Sequence, residues 1–183
     1  YISADIIRLF QSAPDARRKQ LDNFCSRFQP KFKGVLQRYE KIIRQKNKAL
    51  KQQTSFEVID IWNQQLIDLA DQIIKHREQA IIQLESILSD LLVSFKEGKN
   101  ISKDLKIKYL FKGRETRDMK SGYKDWLSQK IHESYQKEVV VGYSLYGPQR
   151  DDYDIILGDK SLFTFYSRGI NRSIAFMLRI AEF

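Results

Sequence analysis

Between Trp62 and Phe95 the chain carries its longest regular pattern. Trp62, Leu66, Leu69, Ile73, Leu84, Leu88, Leu91 and Phe95 fall on alternating three- and four-residue steps. That spacing gathers apolar side chains on one face of a helix. A helix over about residues 57–96 is predicted, roughly 60 Å long at 1.5 Å rise per residue. Such a length exceeds the radius of an ordinary domain. The helix is therefore expected to run within an antiparallel helical arm, with Gly98 in "KEGKN" as its stop.

Two shorter helices precede it. In "SAPDARRKQLDNFCSRF", Ser12 suits the N-cap, Pro14 the first turn and Asp15 the positive end of the dipole. Pro30 then interrupts the pattern. From Lys31 onward, Phe32, Val35, Leu36, Tyr39, Ile42 and Ile43 again mark a helical period. A turn at "KQQTSF" separates this helix from the long one, with Thr54 or Ser55 as the cap.

Past residue 100 the period changes. "DLKIKYLF" alternates Leu105, Ile107 and Tyr109 with Lys106 and Lys108, the pattern of a half-buried strand. "SGYKDWLSQKIHESYQKE" is helical, with Trp126, Leu127, Ile131 and Tyr135 on one side. "VVVGYSLYG" and "DDYDIIL" are expected as strands, with "GDK" a hairpin turn and "SLFTFY" the return strand. A final amphipathic helix follows. The fold class is α+β: a long antiparallel helical arm over residues 1–100, then a small lobe of β-strands and a C-terminal helix over residues 101–183.

Composition narrows the function. Thirty-two Lys and Arg against 23 Asp and Glu give a net charge of +9, which favours a polyanionic partner such as nucleic acid. The helix after Pro30 concentrates this charge. Lys31, Lys33, Arg38, Lys41, Arg44, Lys46, Lys48 and Lys51 face one acid, Glu40. One reading is a phosphate-contacting stripe, for which Arg38, Lys41, Arg44, Lys48 and Lys51 are the DNA-binding candidates. The other is the solvated outer face of an amphipathic helix. The aromatics of this helix belong to its apolar series. None interleaves with the charges, so a base-stacking groove for single strands is not indicated. A single cysteine, Cys25, precludes a disulfide framework and points to a reducing, cytoplasmic setting. No apolar run approaches a membrane span, and "YISADIIRLF" lacks the layout of a signal peptide. The absence of an initial Met suggests a piece of a longer protein.

Catalytic residues are scarce. His76 and His132 have no neighbouring Cys or second His in sequence, so neither fits a metal centre. Cys25 has no base partner beside it. No G-x-S-x-G, H-E-x-x-H or G-x-x-x-x-G-K-[ST] occurs. Two stretches remain. "YGPQRDD" (Tyr146 to Asp152) is a Gly-Pro turn with clustered charge. "YSRGINRS" (Tyr166 to Ser173) places Ser167 at an N-cap and Gly169 in the first turn, an arrangement that suits a phosphate and equally a plain capped helix.

Four stretches, in order, resemble the RecF family, the ABC-type, SMC-like ATPases of bacterial recombinational repair. "LFQSAPDARRKQLD" carries Pro14, Arg17, Arg18, Leu21 and Asp22 of the family's first segment. "YEKIIRQKNKAL" is similar to its Tyr…Gln-Arg-Asn…Leu helix, with Lys46 where Arg is usual. "YGPQRDD" resembles Gly-Pro-His-Arg-Asp-Asp, with Gln149 replacing His. "YSRGINRSIAFMLRIAE" resembles the ABC signature, matching at Ser167, Gly169 and Arg172, with Ser173 for Thr.

The resemblance implies a protein that binds ATP with Mg and binds double-stranded or gapped DNA. It would dimerise through ATP and work with a RecR-like mediator to load recombinase. Ser167, Arg168, Gly169 and Arg172 would cap the nucleotide held by the other subunit. The phosphate loop and the Walker B acid would lie outside these 183 residues. The chain is therefore expected to be an excised arm and lobe, needing no cofactor and hydrolysing nothing alone. Ile170 replaces a hydrogen-bonding Gln, and Arg168 adds charge. Alternatives are a non-enzymatic basic helical module and a divergent SMC- or RecF-like ATPase with another role.

Overall fold

A computed structural model describes residues 14–94, 105–112, 122–165 and 168–181. In order these form α1 (Pro14–Phe28), α2 (Phe32–Lys51), α3 (Phe56–Ser94), β1 (Leu105–Leu110), α4 (Tyr123–Val141), β2 (Asp152–Leu157), β3 (Lys160–Ser161), α5 (Leu162–Phe165) and α6 (Arg168–Ala181). The class is α+β, as expected, with a three-stranded antiparallel sheet in the order β1-β2-β3. The expected cap at Ser12 and stop at Gly98 lie outside the described residues.

The chain forms two compact units that interleave in sequence, 1–28, 77–110 and 152–183 in one, 29–76 and 111–151 in the other. The first contains α1, α3 from Arg77 onward, the sheet, α5 and α6. Alternation along β1 and β2 sends one face into the core, and Leu105 pairs with Leu157, Ile107 with Ile155 and Tyr109 with Tyr153. Leu105, Ile107, Tyr153, Ile155 and Leu157 are buried there. Burying such aliphatics contributes about 1.5–3 kcal/mol each. Ile174, Ala175, Met177, Leu178 and Ala181 line the inner side of α6, the spacing its sequence predicts.

The hairpin turns through Gly158, at φ 61°, where a left-handed residue at the first turn position suits the strand twist. The return strand is shorter than expected. β3 holds only Lys160 and Ser161, and Leu162–Phe165 is a single helical turn. Turning after Ser161 places Leu162 in the core with no exposed surface.

The second unit packs α2, α3 up to His76, and α4. Phe32, Val35, Tyr39 and Leu50 from α2 are buried, as are Ile59, Leu66, Ala70 and Ile73 from α3 and Trp126, Leu127 and Ile131 from α4. Phe56 meets Tyr135 edge-on with centroids 4.9 Å apart. Ser55 opens α3 by accepting the first helical bond, from Ile59 N–H at 3.2 Å.

The expected strand at "VVVGYSLYG" is absent. Val139–Val141 instead complete α4, and Gly142 ends it in the left-handed region at φ 73°. Its N–H donates to the Glu138 carbonyl at 2.8 Å, a helix C-terminus that glycine makes without Cβ strain. Residues 143–151 then cross the unit without regular structure.

Candidate nucleic-acid interface and motif contacts

Arg38, Lys41, Arg44, Lys48 and Lys51 are all exposed on α2. They occupy its solvent side, away from buried Val35, Tyr39 and Leu50. Arg44 faces Glu40 at 3.9 Å with both side chains more than half exposed, a pair that adds little stability and neutralises little of the stripe. The stem of Lys51 lies over the end of α4, where a Cβ added at Gly142 would stand 3.0 Å from Lys51 Cγ.

Lys46 leaves the stripe. Its side chain has no exposed surface, and its ammonium lies 2.7 Å from Glu138 Oε2 on α4. It also donates to Ser144 Oγ at 3.1 Å. Burial pulls its pKa below the ordinary lysine value, and Glu138 opposes that. A residue grouped with the phosphate contacts is thus an internal tie. The reason is position: Lys46 falls on the line of Tyr39 and Leu50, inside the apolar face of α2.

Around this tie, the loop after α4 is held by side chains. Glu138 Oε1 accepts from Leu145 N–H at 2.7 Å and from Ser144 Oγ at 3.2 Å. Asn47 Oδ1 accepts from Ser144 N–H at 2.8 Å. Tyr39 donates its hydroxyl to Gln149 Oε1. Gly147 sits at φ 122°, and a Cβ there would come within 2.5 Å of the Tyr39 oxygen. Arg150 lies 4.8 Å over the Tyr143 ring and donates to the Ser144 carbonyl at 3.3 Å. Buried Asp151 accepts from Lys112 N–H at 3.0 Å. The stretches containing Gln45-Lys46-Asn47 and Gly147-Pro148-Gln149-Arg150 therefore pack as one assembly.

The segment in α1 has a parallel role in the other unit. Arg17 bonds Asp152 at the start of β2 through two nitrogens, at 2.9 and 2.5 Å. That hydrogen bond raises the Arg17 pKa further. Asp22 accepts a two-pronged contact from buried Arg77 of α3, at 2.8 and 2.9 Å, and Arg77 also donates to Tyr109 Oη at 2.8 Å. Burial disfavours the charge on Arg77, yet Tyr109 and Asp22 raise its pKa well above the usual value. Gln20 Oε1 accepts from Tyr153 Oη at 2.8 Å.

No family model matches the chain. Curated relatives match it from end to end. A DNA replication and repair protein RecF from Ruminiclostridium cellulolyticum is 34% identical over 98% of this chain and 49% of its own length. That of Halothermothrix orenii is 27% identical, again over 98% of the chain and 49% of the relative. The chain is RecF-like over nearly its whole length. It spans about half the length of the relatives it matches. A solved structure of the recombination mediator protein RecF-ATP in the RecFOR pathway shares the fold, with a TM-score of 0.84 at 23% identity over 98% of this chain and 48% of that one.

In this RecF-like chain, Ser167 lies outside the described residues. Arg168, Gly169 and Arg172 lie in the opening turns of α6, where the first backbone N–H groups have no intrahelical acceptor. Capping geometry singled out Ser167 and Gly169 in the sequence, and the RecF resemblance added Arg168 and Arg172.

Cys25, His76 and His132 each take part in packing or hydrogen bonds. Cys25 is fully buried, and burial pushes its thiol pKa up to about 12. His76 and Gln29 bond reciprocally, Nδ1 with Oε1 and Nε2 with the His76 carbonyl at 3.1 Å. His132 meets Phe56 edge-on at 5.8 Å. Among the described residues no three His, Cys, Asp or Glu cluster as metal ligands. No described helix is long and apolar enough to cross a membrane. Sequence reasoning missed the two internal ties, Lys46–Glu138 and Arg77–Asp22. Their signal was present for Lys46, as a charged residue on a helix's apolar line.

Proposed function

We propose that this chain is the arm and signature lobe of a RecF-like protein, residues 1–100 and 101–183, whose parent binds ATP and DNA. The intact protein would dimerise around nucleotide in the cytoplasm and act with a RecR-like mediator to help load recombinase at gapped DNA. The end-to-end match to proteins named DNA replication and repair protein RecF carries this reading. The likeness to a RecF-ATP structure supports the nucleotide part. The exposed cations of α2 support the DNA part.

The opening of α6 fits an anion. Its first N–H groups point along the helix axis with the dipole behind them, and buried Ile174, Ala175 and Met177 fix the helix in place. Ser167, Arg168, Gly169 and Arg172 would hold the γ-phosphate of ATP bound, with Mg, by a second copy. The nucleotide supplies the conditional link between copies. The chain alone should not hydrolyse it, since no phosphate-loop motif occurs in the sequence.

Dimerisation of the parent protein with and without ATP, wild type against Ser167→Arg, tests this. ATP should dimerise the wild type and not the variant. Equal behaviour of the two would reduce Ser167 to a helix cap.

A second reading is a basic DNA-binding module indifferent to nucleotide, favoured by the stripe itself. Charge reversal at Lys41, Arg44 and Lys48 should weaken DNA binding and flatten its salt dependence in either reading. Only the ATP-clamp reading also predicts an effect of nucleotide.

A further inference from the structure

An open groove of about 500 Å³ runs between α2 and the first half of α3, inside the second unit. Arg38, Lys41, Ile42 and Gln45 line one wall, and Trp62, Gln65, Asp68 and Leu69 the other. The aromatics of α2, Phe32 and Tyr39, are buried on its apolar side, so the sequence argued against a stacking groove. The fold changes that by bringing Trp62 from the next helix beside Arg38 and Lys41.

We propose that this groove takes an unpaired nucleotide of a DNA strand, its phosphates on Arg38 and Lys41 and its base against Trp62. This rests on the DNA-binding reading above and names the part of the DNA that α2 meets. Four observations point the same way. The two cations continue directly into Lys48 and Arg44, so a backbone following the stripe reaches the groove. Trp62 is half-buried and lines the groove, so its ring is held beside the two cations. Asp68, the acid in the lining, is held by Lys124 through Oδ1 at 2.5 Å. Lys124 thus brings a third cation to the edge of the groove. Gln45 and Gln65 are exposed on the two walls, and side-chain amides pair with base edges. Aromatic stacking accepts any base, so the groove should prefer single strands without a strict sequence. An acidic peptide would satisfy Arg38 and Lys41 but would leave Trp62 without a ring to stack on.

The test is fluorescence anisotropy of the purified protein with labelled blunt duplex, gapped duplex and oligo-dT. Trp62→Ala should weaken gapped and single-stranded binding about tenfold, the usual loss for one stacked base. Blunt duplex affinity should stay within twofold. Trp62→Phe should recover most of the loss, which separates stacking from misfolding. In a Trp126→Phe background, oligo-dT should quench the remaining tryptophan emission, and dT carrying abasic sites should not. If wild type binds gapped DNA but Trp62→Ala binds it equally well, the groove assignment is wrong and the stripe reading survives. Loss of an acidic peptide without loss of DNA would give the groove to a protein partner and overturn the proposal. If wild type binds no DNA in any form, both readings fall together.

Discussion

Lys46 of α2 and Glu138 of α4 form an ion pair 2.7 Å apart with 0% and 1% of their side chains exposed. Both charges have left water, so each depends on the other. Glu138→Ala should therefore cost about 3–5 kcal/mol, since it strands a buried ammonium. Lys46→Met with Glu138→Leu should recover most of that, because an apolar pair carries no desolvation cost. Urea unfolding midpoints of the three proteins check this. A double variant as unstable as the single one would mean that the loop bonds to Ser144 and Leu145 matter more than the charges.

Arg77 offers a graded comparison. Arg77→Ala should cost about 3–5 kcal/mol, for it removes a buried fork that satisfies Asp22 and Tyr109 together. Tyr109→Phe removes one bond to a charged donor and should cost about 2 kcal/mol. Thermal melts of both variants rank them; the reverse order would show that Tyr109 anchors the cluster.

Two glycines should respond in opposite directions. Gly147→Ala demands φ 122° of an L-residue and sets a Cβ 2.5 Å from the Tyr39 oxygen. A loss of about 2 kcal/mol is expected. Gly34 sits in the first turn of α2 with open space where a Cβ would go, so Gly34→Ala should gain up to about 1 kcal/mol. Denaturant titration of the pair distinguishes backbone strain from general sensitivity to mutation.

Acidification should weaken the fold through His76. Burial lowers its pKa below 6.5 in the folded chain, so the unfolded chain binds the proton first. Stability from this residue is present above about pH 6.5 and is lost as pH falls through the window below it. His76→Gln should flatten the difference in unfolding midpoint between pH 7.5 and pH 5.5. An unchanged slope would place the acid sensitivity elsewhere.

Much of this fold is legible in the sequence because single helices and one-sided strands write their burial directly as a period. The run from Trp62 to Leu91 predicts α3, and Leu105, Ile107 and Tyr109 predict β1 with its inward face. The three valines before Gly142 misled for a physical reason. Their β preference is weak beside a helix already running, and the loop that follows finds its partners in Glu138 and Asn47. The Asn47 contact joins residues 97 positions apart, which no local pattern records. The same holds for the candidate site. Charge marked the stripe on α2, but whether a lysine faces water or a carboxylate depended on Glu138. Trp62 entered the groove only once α2 and α3 were paired.

The Lys46–Glu138 tie also sets a clock for synthesis. As the polypeptide leaves the ribosome, α2 emerges long before α4. Until Glu138 follows, the apolar face of α2 carries an ammonium with no counter-charge, and water must remain around it. The second unit therefore closes late, after residues of the first have already been made. Until α4 follows, the cluster of Ala49, Leu50 and Ile59 lacks Tyr135 and Val139, leaving apolar surface of the kind that chaperones hold.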